Sequence, residues 1–144
     1  MTTLRSHAEE PRASTQARGT FEIKLQPQLD ESVGDPTIGR LAFDKQFTGD
    51  LTGTSKGQML ATRTDVPDSA GYVAMERFRG TLAGKTGSFA LQHSGTMNRG
   101  VSALVVTVVP DSGTDELASL RGTLNIRIEG GQHFYEFDYI MAAP

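Results

Sequence analysis

The sequence predicts an all-β protein: an antiparallel, eight-stranded closed barrel of meander type. Glycine occurs 16 times in 144 residues, at intervals between stretches rich in Thr, Val, Phe and Tyr, the pattern of strands punctuated by turns. Several of these stretches alternate apolar and polar residues with period two, which assigns one set of side chains to each face of a strand. The connections are mostly short, and short connections join antiparallel neighbours. Eight such strands leave two edges unless the sheet closes, and closure is the arrangement that removes them. A two-sheet sandwich has the same periodicity and is the competing architecture.

GTFEIKLQP (19–27) alternates Phe21, Ile23 and Leu25 against Glu22, Lys24 and Gln26, the cleanest half-buried strand in the chain. ESVGDPTIG (31–39) breaks it with Gly34, Pro36 and Gly39. RLAFDKQFTGDL (40–51) and TSKGQMLATR (54–63) form a hairpin pair, followed by a loop, TDVPDSAG (64–71). GYVAMERFRGTLAG (71–84) is a long strand, GKTG (84–87) a tight turn, and GSFALQHSGTM (87–97) the answering strand. MNRG (97–100) turns the chain into the apolar strand 101–109. Pro110 stops that strand. In PDSGTDELASL (110–120) Ser112 and Thr114 are candidate N-caps for one helical turn near 114–118, read as a cap on one barrel end or the rim of its mouth. LRGTLNIRIEGG (120–131) alternates again, and Gly130-Gly131 turns it into the last strand, which carries His133, Tyr135, Phe137 and Tyr139 on one parity. RGTL occurs at 79–82 and again at 121–124, either marking equivalent hairpins or by accident.

At 144 residues the chain is one domain, with the barrel over 19–144 and a flexible tail over residues 1–18. A chain of this length buries roughly 68–70% of its unfolded surface, enough for a core without staples. It has no Cys, so neither a disulfide framework nor a thiolate metal site is open to it. Net charge is −3, from 14 basic and 17 acidic residues, mixed along the chain. That balance gives no reason to expect nucleic acid as a partner. VSALVVTVVP (101–110), the longest apolar run, is too short to span a bilayer. The first residues have no apolar stretch of the signal-peptide kind, and Glu9 and Glu10 argue against an organellar presequence. A cytoplasmic protein without a membrane partner is the expectation.

GKT (84–86) resembles the end of a phosphate-binding loop, but that pattern needs Gly at position 79, which is Arg. A hairpin turn is the better reading. Glu76 shares its strand parity with Tyr72, Ala74 and Phe78, so it is expected to face inward, where desolvation raises a carboxyl pKa and suits it to acid or base work. Alternatively Val73 and Met75 define the core face. His93 shares a face with Phe89 and Leu91 in the pairing strand. With the turn at 84–87, Glu76 falls opposite position 95, one diagonal step from His93, within reach of long side chains. Glu76 and His93 are therefore the candidate acid–base pair; a His satisfied by the backbone is the alternative. Tyr72, Phe89, His133 and Tyr135 are the candidate ligand-binding residues. Against this, aromatics are common on half-buried strands and Tyr hydroxyls are often satisfied locally. The His and carboxylates have no metal-ligand spacing, and no metal or cofactor is expected.

GTFEIKL, ERFRGTLAGKTGSFALQHSG, VVPDSGTDELASLRG and GGQHFYEFDY together resemble the bacterial family known as domain of unknown function 3224, over nearly the whole chain from about residue 19. The most specific parts are Ser112-Gly113-Thr114 with Glu116-Leu117, His93 followed by Gly95, and His133 spaced from Tyr135 and Tyr139. The resemblance implies a barrel similar to that of plant allene oxide cyclase and assembly into homodimers or larger homo-oligomers. It implies no activity and supplies no catalytic residues, and likeness of fold does not carry a substrate across. Three functions are compatible with these readings. The barrel binds a small apolar or aromatic molecule in its interior; or it is an isomerase or cyclase using Glu76 and His93; or it is a filled, self-associating structural barrel.

Overall fold

The computed structural model describes residues 14–29 and 34–141. Its strands are β1 (Thr15–Pro27), β2 (Gly39–Gly49), β3 (Leu51–Arg63), β4 (Ala70–Leu82), β5 (Lys85–Asn98), β6 (Val101–Val108), β7 (Leu120–Glu129) and β8 (Gln132–Met141). They follow one another in sequence order around a closed barrel, and β8 pairs antiparallel with β1 to complete it. The barrel is therefore the architecture, and the sandwich is not. β1 begins earlier than the alternation in GTFEIKL suggests: Thr15–Phe21 pair with β8, and Ala17 is buried in the core. Residues 15–18 thus belong to the barrel. Residues 1–13 of the expected tail, residues 30–33, which include the start of the expected break over 31–39, and residues 142–144 lie outside the described residues.

The β4–β5 hairpin is tighter than the GKTG string suggests. Leu82 pairs with Lys85, leaving a two-residue turn of Ala83 (φ 49°) and Gly84 (φ 86°). Positive φ at both positions matches the twist of the strands it joins. Register moves with the turn, and Glu76 lies opposite Leu91, not residue 95. The two RGTL strings are not equivalent either. One ends β4 and the other begins β7, so they run in opposite directions along the barrel.

Successive connections alternate between the two barrel ends. The end carrying the β2–β3, β4–β5 and β6–β7 connections is solid. Phe47, Leu51, Phe78, Leu82, Phe89, Leu117, Leu120, Leu124, Tyr135 and Phe137 are almost wholly buried. Their rings interlock, Phe47 edge-on to Phe78 at 5.5 Å and Phe89 stacked on Phe137 at 5.7 Å. Each such side chain stabilises the fold by about 1.5–3 kcal/mol on burial.

The β5–β6–β7 seam explains the SGTDEL segment. β6 pairs with β5 only from Leu91 onward and with β7 through the single pair Thr107–Thr123, so the first residues of β5 lack a neighbouring strand there. Side chains replace it. Ala90 N donates to Ser112 Oγ (3.0 Å), Ser88 N to Thr114 Oγ1 (3.1 Å) and Thr86 N to Glu116 Oε1 (2.8 Å). Three alternate acceptors thus meet three alternate amides. The helical turn exists as a 3-10 turn over Asp115–Leu117, but the Thr114 hydroxyl leaves it uncapped because it serves Ser88. Leu117 is fully buried. Gly87 permits the close approach: a Cβ there would collide with the Thr114 carbonyl and lie 3.1 Å from Leu117 Cγ. SGTDEL is therefore the cap of the solid end.

Candidate functional site

Halfway along the barrel the aromatic packing gives way to charge. Phe43, Lys45 and Phe47 alternate inward on β2, which carries an ammonium into the interior between two phenyl rings. Ser55 lies opposite Lys45 on β3. Glu76 comes from β4 and His93 from β5. Gly57 separates Phe43 from Glu76; a Cβ there would collide with the Phe43 ring and lie 2.7 Å from Glu76 Cβ. Small residues on β3 thus make room for large and charged ones on its neighbours.

Glu76 is the centre of the cluster. Its Oε1 accepts from Lys45 Nζ (2.7 Å) and from His93 Nε2 (2.5 Å), and its Oε2 accepts from Ser55 Oγ. Side-chain exposure is 0% for Glu76, 4% for Lys45 and 3% for His93. The Lys45 ammonium also lies 4.7 Å from the Phe21 ring centroid and 5.2 Å from that of Phe43, favourable cation–π distances.

Glu76 faces inward as its parity predicts, but its acidity moves opposite to expectation. Burial pushes the carboxyl pKa up. The hydrogen bond from His93, the charge of Lys45 and the hydrogen bonds from Lys45 and Ser55 together outweigh that, and the pKa falls to about 2. The group is a fixed anion at neutral pH. Its partners were invisible to parity within a single strand, and they reverse the direction that desolvation alone dictates.

His93 is consequently oriented. Its Nε2–H points at Glu76, which leaves Nδ1 as an acceptor towards the Tyr72 hydroxyl, 3.4 Å away. Tyr72 lies opposite Gly95, whose missing side chain seats the ring; a Cβ there would be 2.6 Å from Tyr72 Cε1. Burial, then the charge of Glu76, raises the Tyr72 pKa, so the phenol stays protonated.

Beyond this layer the barrel is hollow. A cavity of about 650 Å³ opens at the end bearing the β3–β4 and β5–β6 connections. Its walls include Ile23, Phe43, Met59, Leu104 and Ile126, and Lys45, His93 and Tyr72 form its floor. Of the six residues singled out in the sequence, Tyr72, His93 and His133 line this cavity. Glu76 sits behind Lys45 and His93. Phe89 does not reach the cavity; it is packed against Phe78 and Phe137 in the solid end. Tyr135 faces inward too, but its hydroxyl accepts from Leu51 N (2.8 Å) and donates to Thr48 O (3.0 Å), the local satisfaction anticipated as the alternative. Lys45 and Ser55 escaped the sequence reading. The signal for Lys45 was present: a cation between two phenylalanines on one strand parity, the same anomaly that marked Glu76. Among the described residues no group of three or more His, Cys, Asp and Glu is placed to hold a metal ion.

These features define a small closed β-barrel with one solid end, one hollow end and a buried charge layer between them. The chain belongs to the family described as "Protein of unknown function (DUF3224)", which matches residues 17–139. It is similar to a crystal structure of a protein with unknown function from the same family in Shewanella oneidensis, with 46% sequence identity and a TM-score of 0.85. The match covers 91% of this chain and 99% of that one. Comparison with curated proteins gives no match.

Proposed function

We propose that the barrel binds one small apolar or aromatic molecule in its hollow end. The observation that supports this most is the cavity itself. About 650 Å³ lies within the roughly 300–1,000 Å³ range of small-molecule sites. Its surface is mainly apolar, and Lys45, His93 and Tyr72 bring three polar groups together within it, which gives affinity and orientation separately. The test is binding of the fluorescent probe 1-anilinonaphthalene-8-sulfonate to the full chain and to Ala61→Trp, a substitution in the cavity wall. The expected result is probe binding that Ala61→Trp weakens roughly tenfold at unchanged thermal stability. Equal binding by both proteins would place the probe elsewhere and remove the support.

A second reading, an isomerase or cyclase, is favoured by the chain Glu76–His93–Tyr72 that ends at the cavity. With Glu76 held ionised, the proton-transferring group would be His93, with Glu76 orienting it and Tyr72 donating to a substrate oxygen. Exchange of solvent deuterium into an enolisable ketone, lost in His93→Asn, is the expected sign; no exchange with any member of a ketone panel counts against it.

The reading takes the protein as a cytoplasmic homodimer without nucleic-acid or membrane partners. No helix of the described residues is long and apolar enough to cross a membrane. Outward positions such as Glu22, Lys24, Asp44 and Lys56 are exposed and charged, the reverse of a lipid-facing barrel. Light scattering at micromolar concentration is expected to give twice the chain mass, and a monomer mass overturns the dimer.

A further inference from the structure

We propose that the molecule bound in the cavity is an amphiphilic carboxylic acid that seats head-down, its carboxylate on Lys45, His93 and Tyr72 and its apolar body against the walls, and that its binding protonates His93. The proposal rests on the binding reading above and specifies its ligand.

Donor and acceptor inventory carries it first. The carboxylate behind the floor is Glu76, and both its oxygens are taken, by Lys45 and His93 on one and Ser55 on the other. Apart from His93 Nδ1, which faces the Tyr72 hydroxyl, what remains are donors. The Lys45 ammonium has three N–H groups and, among the described residues, one oxygen partner, Glu76; it also lies near the Phe21, Phe43 and Phe47 rings. Among the described residues the Tyr72 O–H has one long contact, 3.4 Å to His93 Nδ1. A buried ammonium and a half-buried phenol of this kind are stabilised by an acceptor, and the cavity is where one can arrive.

Charge points the same way. In a protein of net charge −3, the cavity wall carries the cations Lys45 and Arg63 against Asp68. A cationic lining on an acidic protein favours an anion over a cation. Ile23, Phe43, Met59, Leu104 and Ile126 require the rest of the ligand to be apolar.

The protonation follows from counting charges around His93. From β4 it meets Glu76 and Tyr72, and through Glu76 it is joined to Lys45 of β2 and Ser55 of β3; its neighbour on β6 is Val106. Lys45 and Glu76 already neutralise each other. A second anion entering this layer needs a second cation, and His93 becomes one by taking a proton from solvent onto Nδ1, which then donates to the ligand carboxylate. Binding is therefore coupled to proton uptake, and by linkage acid binding weakens as pH rises.

The experiment is calorimetric titration of the full chain with matched pairs, decanoate with 1-decanol and 4-phenylbutanoate with 4-phenylbutan-1-ol. Each is run at two pH values and in buffers of different ionisation enthalpy. The acids are expected to bind roughly tenfold or more tightly than their alcohols, with uptake of about one proton at the higher pH. Lys45→Met is expected to abolish the preference for acid while alcohol binding persists. Tyr72→Phe, which leaves the Lys45–Glu76 pair intact, is expected to weaken acids several-fold if Lys45→Met does not fold. Alcohols binding as tightly as acids would overturn the head-group assignment and leave the cavity reading standing. Acid preference without proton uptake would overturn the role of His93. Failure of both series together with the fluorescent probe would overturn the cavity reading itself.

Discussion

His93 Nε2 and Glu76 Oε1 meet at 2.5 Å although the two residues are not opposite each other on β4 and β5. Glu76 pairs with Leu91, and His93 pairs with Ala74. The contact is a diagonal one, and the small side chain of Ala74 leaves the imidazole free to lean along the barrel towards the carboxylate. Lys45 reaches the same oxygen from β2, so one acceptor ties three strands together. Glu76→Gln would keep the shape and remove the charge, leaving a buried ammonium without its counter-ion. The expected cost is about 3–5 kcal/mol, read as a lower urea midpoint at unchanged slope. The double change Lys45→Met with Glu76→Leu is expected to cost less than Glu76→Gln alone, because it removes the orphaned charge.

The depressed acidity of Glu76 fixes a pH dependence. The folded-state pKa is about 2 against an ordinary 4.5, so the unfolded chain binds the proton more readily. The stabilisation is fully present above the ordinary value and is lost as pH falls from about 4.5 to about 2. It amounts to about 3 kcal/mol. Urea unfolding at pH 7, 4 and 2 should show this loss, and Glu76→Gln should flatten it. An equal acid slope in wild type and variant would assign the acid lability to other carboxylates.

The seam at the solid end makes a separate claim. Thr114→Val keeps the volume and removes the acceptor for Ser88 N, at a cost of about 1–3 kcal/mol for an unsatisfied buried amide. Amide exchange at Thr86, Ser88 and Ala90 is expected to accelerate selectively, since these are the amides that depend on the 112–116 side chains. Uniform acceleration along β5 would mean that the segment acts only through Leu117.

Strand existence, order and closure were legible because they depend on period-two patterning and short connections, which are local. The inward parity of Glu76, His93 and His133 was legible for the same reason. What was not legible depends on neighbours distant in sequence. The direction of the Glu76 pKa is set by Lys45, 31 residues earlier, and by His93, 17 residues later. The β4–β5 register hinged on whether the two turn residues were Ala83 and Gly84 or lay within GKTG, where two glycines, Gly84 and Gly87, compete for the role. The division of the interior into solid and hollow ends separates Tyr135 from His133 on the same strand face. It is fixed by how all eight strands stagger, which no single strand records.

Tyr135 tests that division. Although it shares a parity with His133, its hydroxyl serves the backbone of Thr48 and Leu51 at the solid end, and burial raises its pKa. Gly19 accommodates it, since a Cβ there would lie within 2.8 Å of Tyr135 Cζ. Tyr135→Phe deprives Leu51 N of its acceptor and is expected to cost about 1–3 kcal/mol of stability. Its effect on probe or acid binding is expected to be absent, because no atom of Tyr135 lines the cavity. His133→Ala should behave in reverse, with altered binding and a small change in stability, since that side chain is part of the wall and only partly buried. Measuring urea midpoint and probe affinity on both variants separates the two roles. If Tyr135→Phe lowered affinity at unchanged stability, the hollow region would extend below the Glu76 layer and the solid end would have to be redrawn.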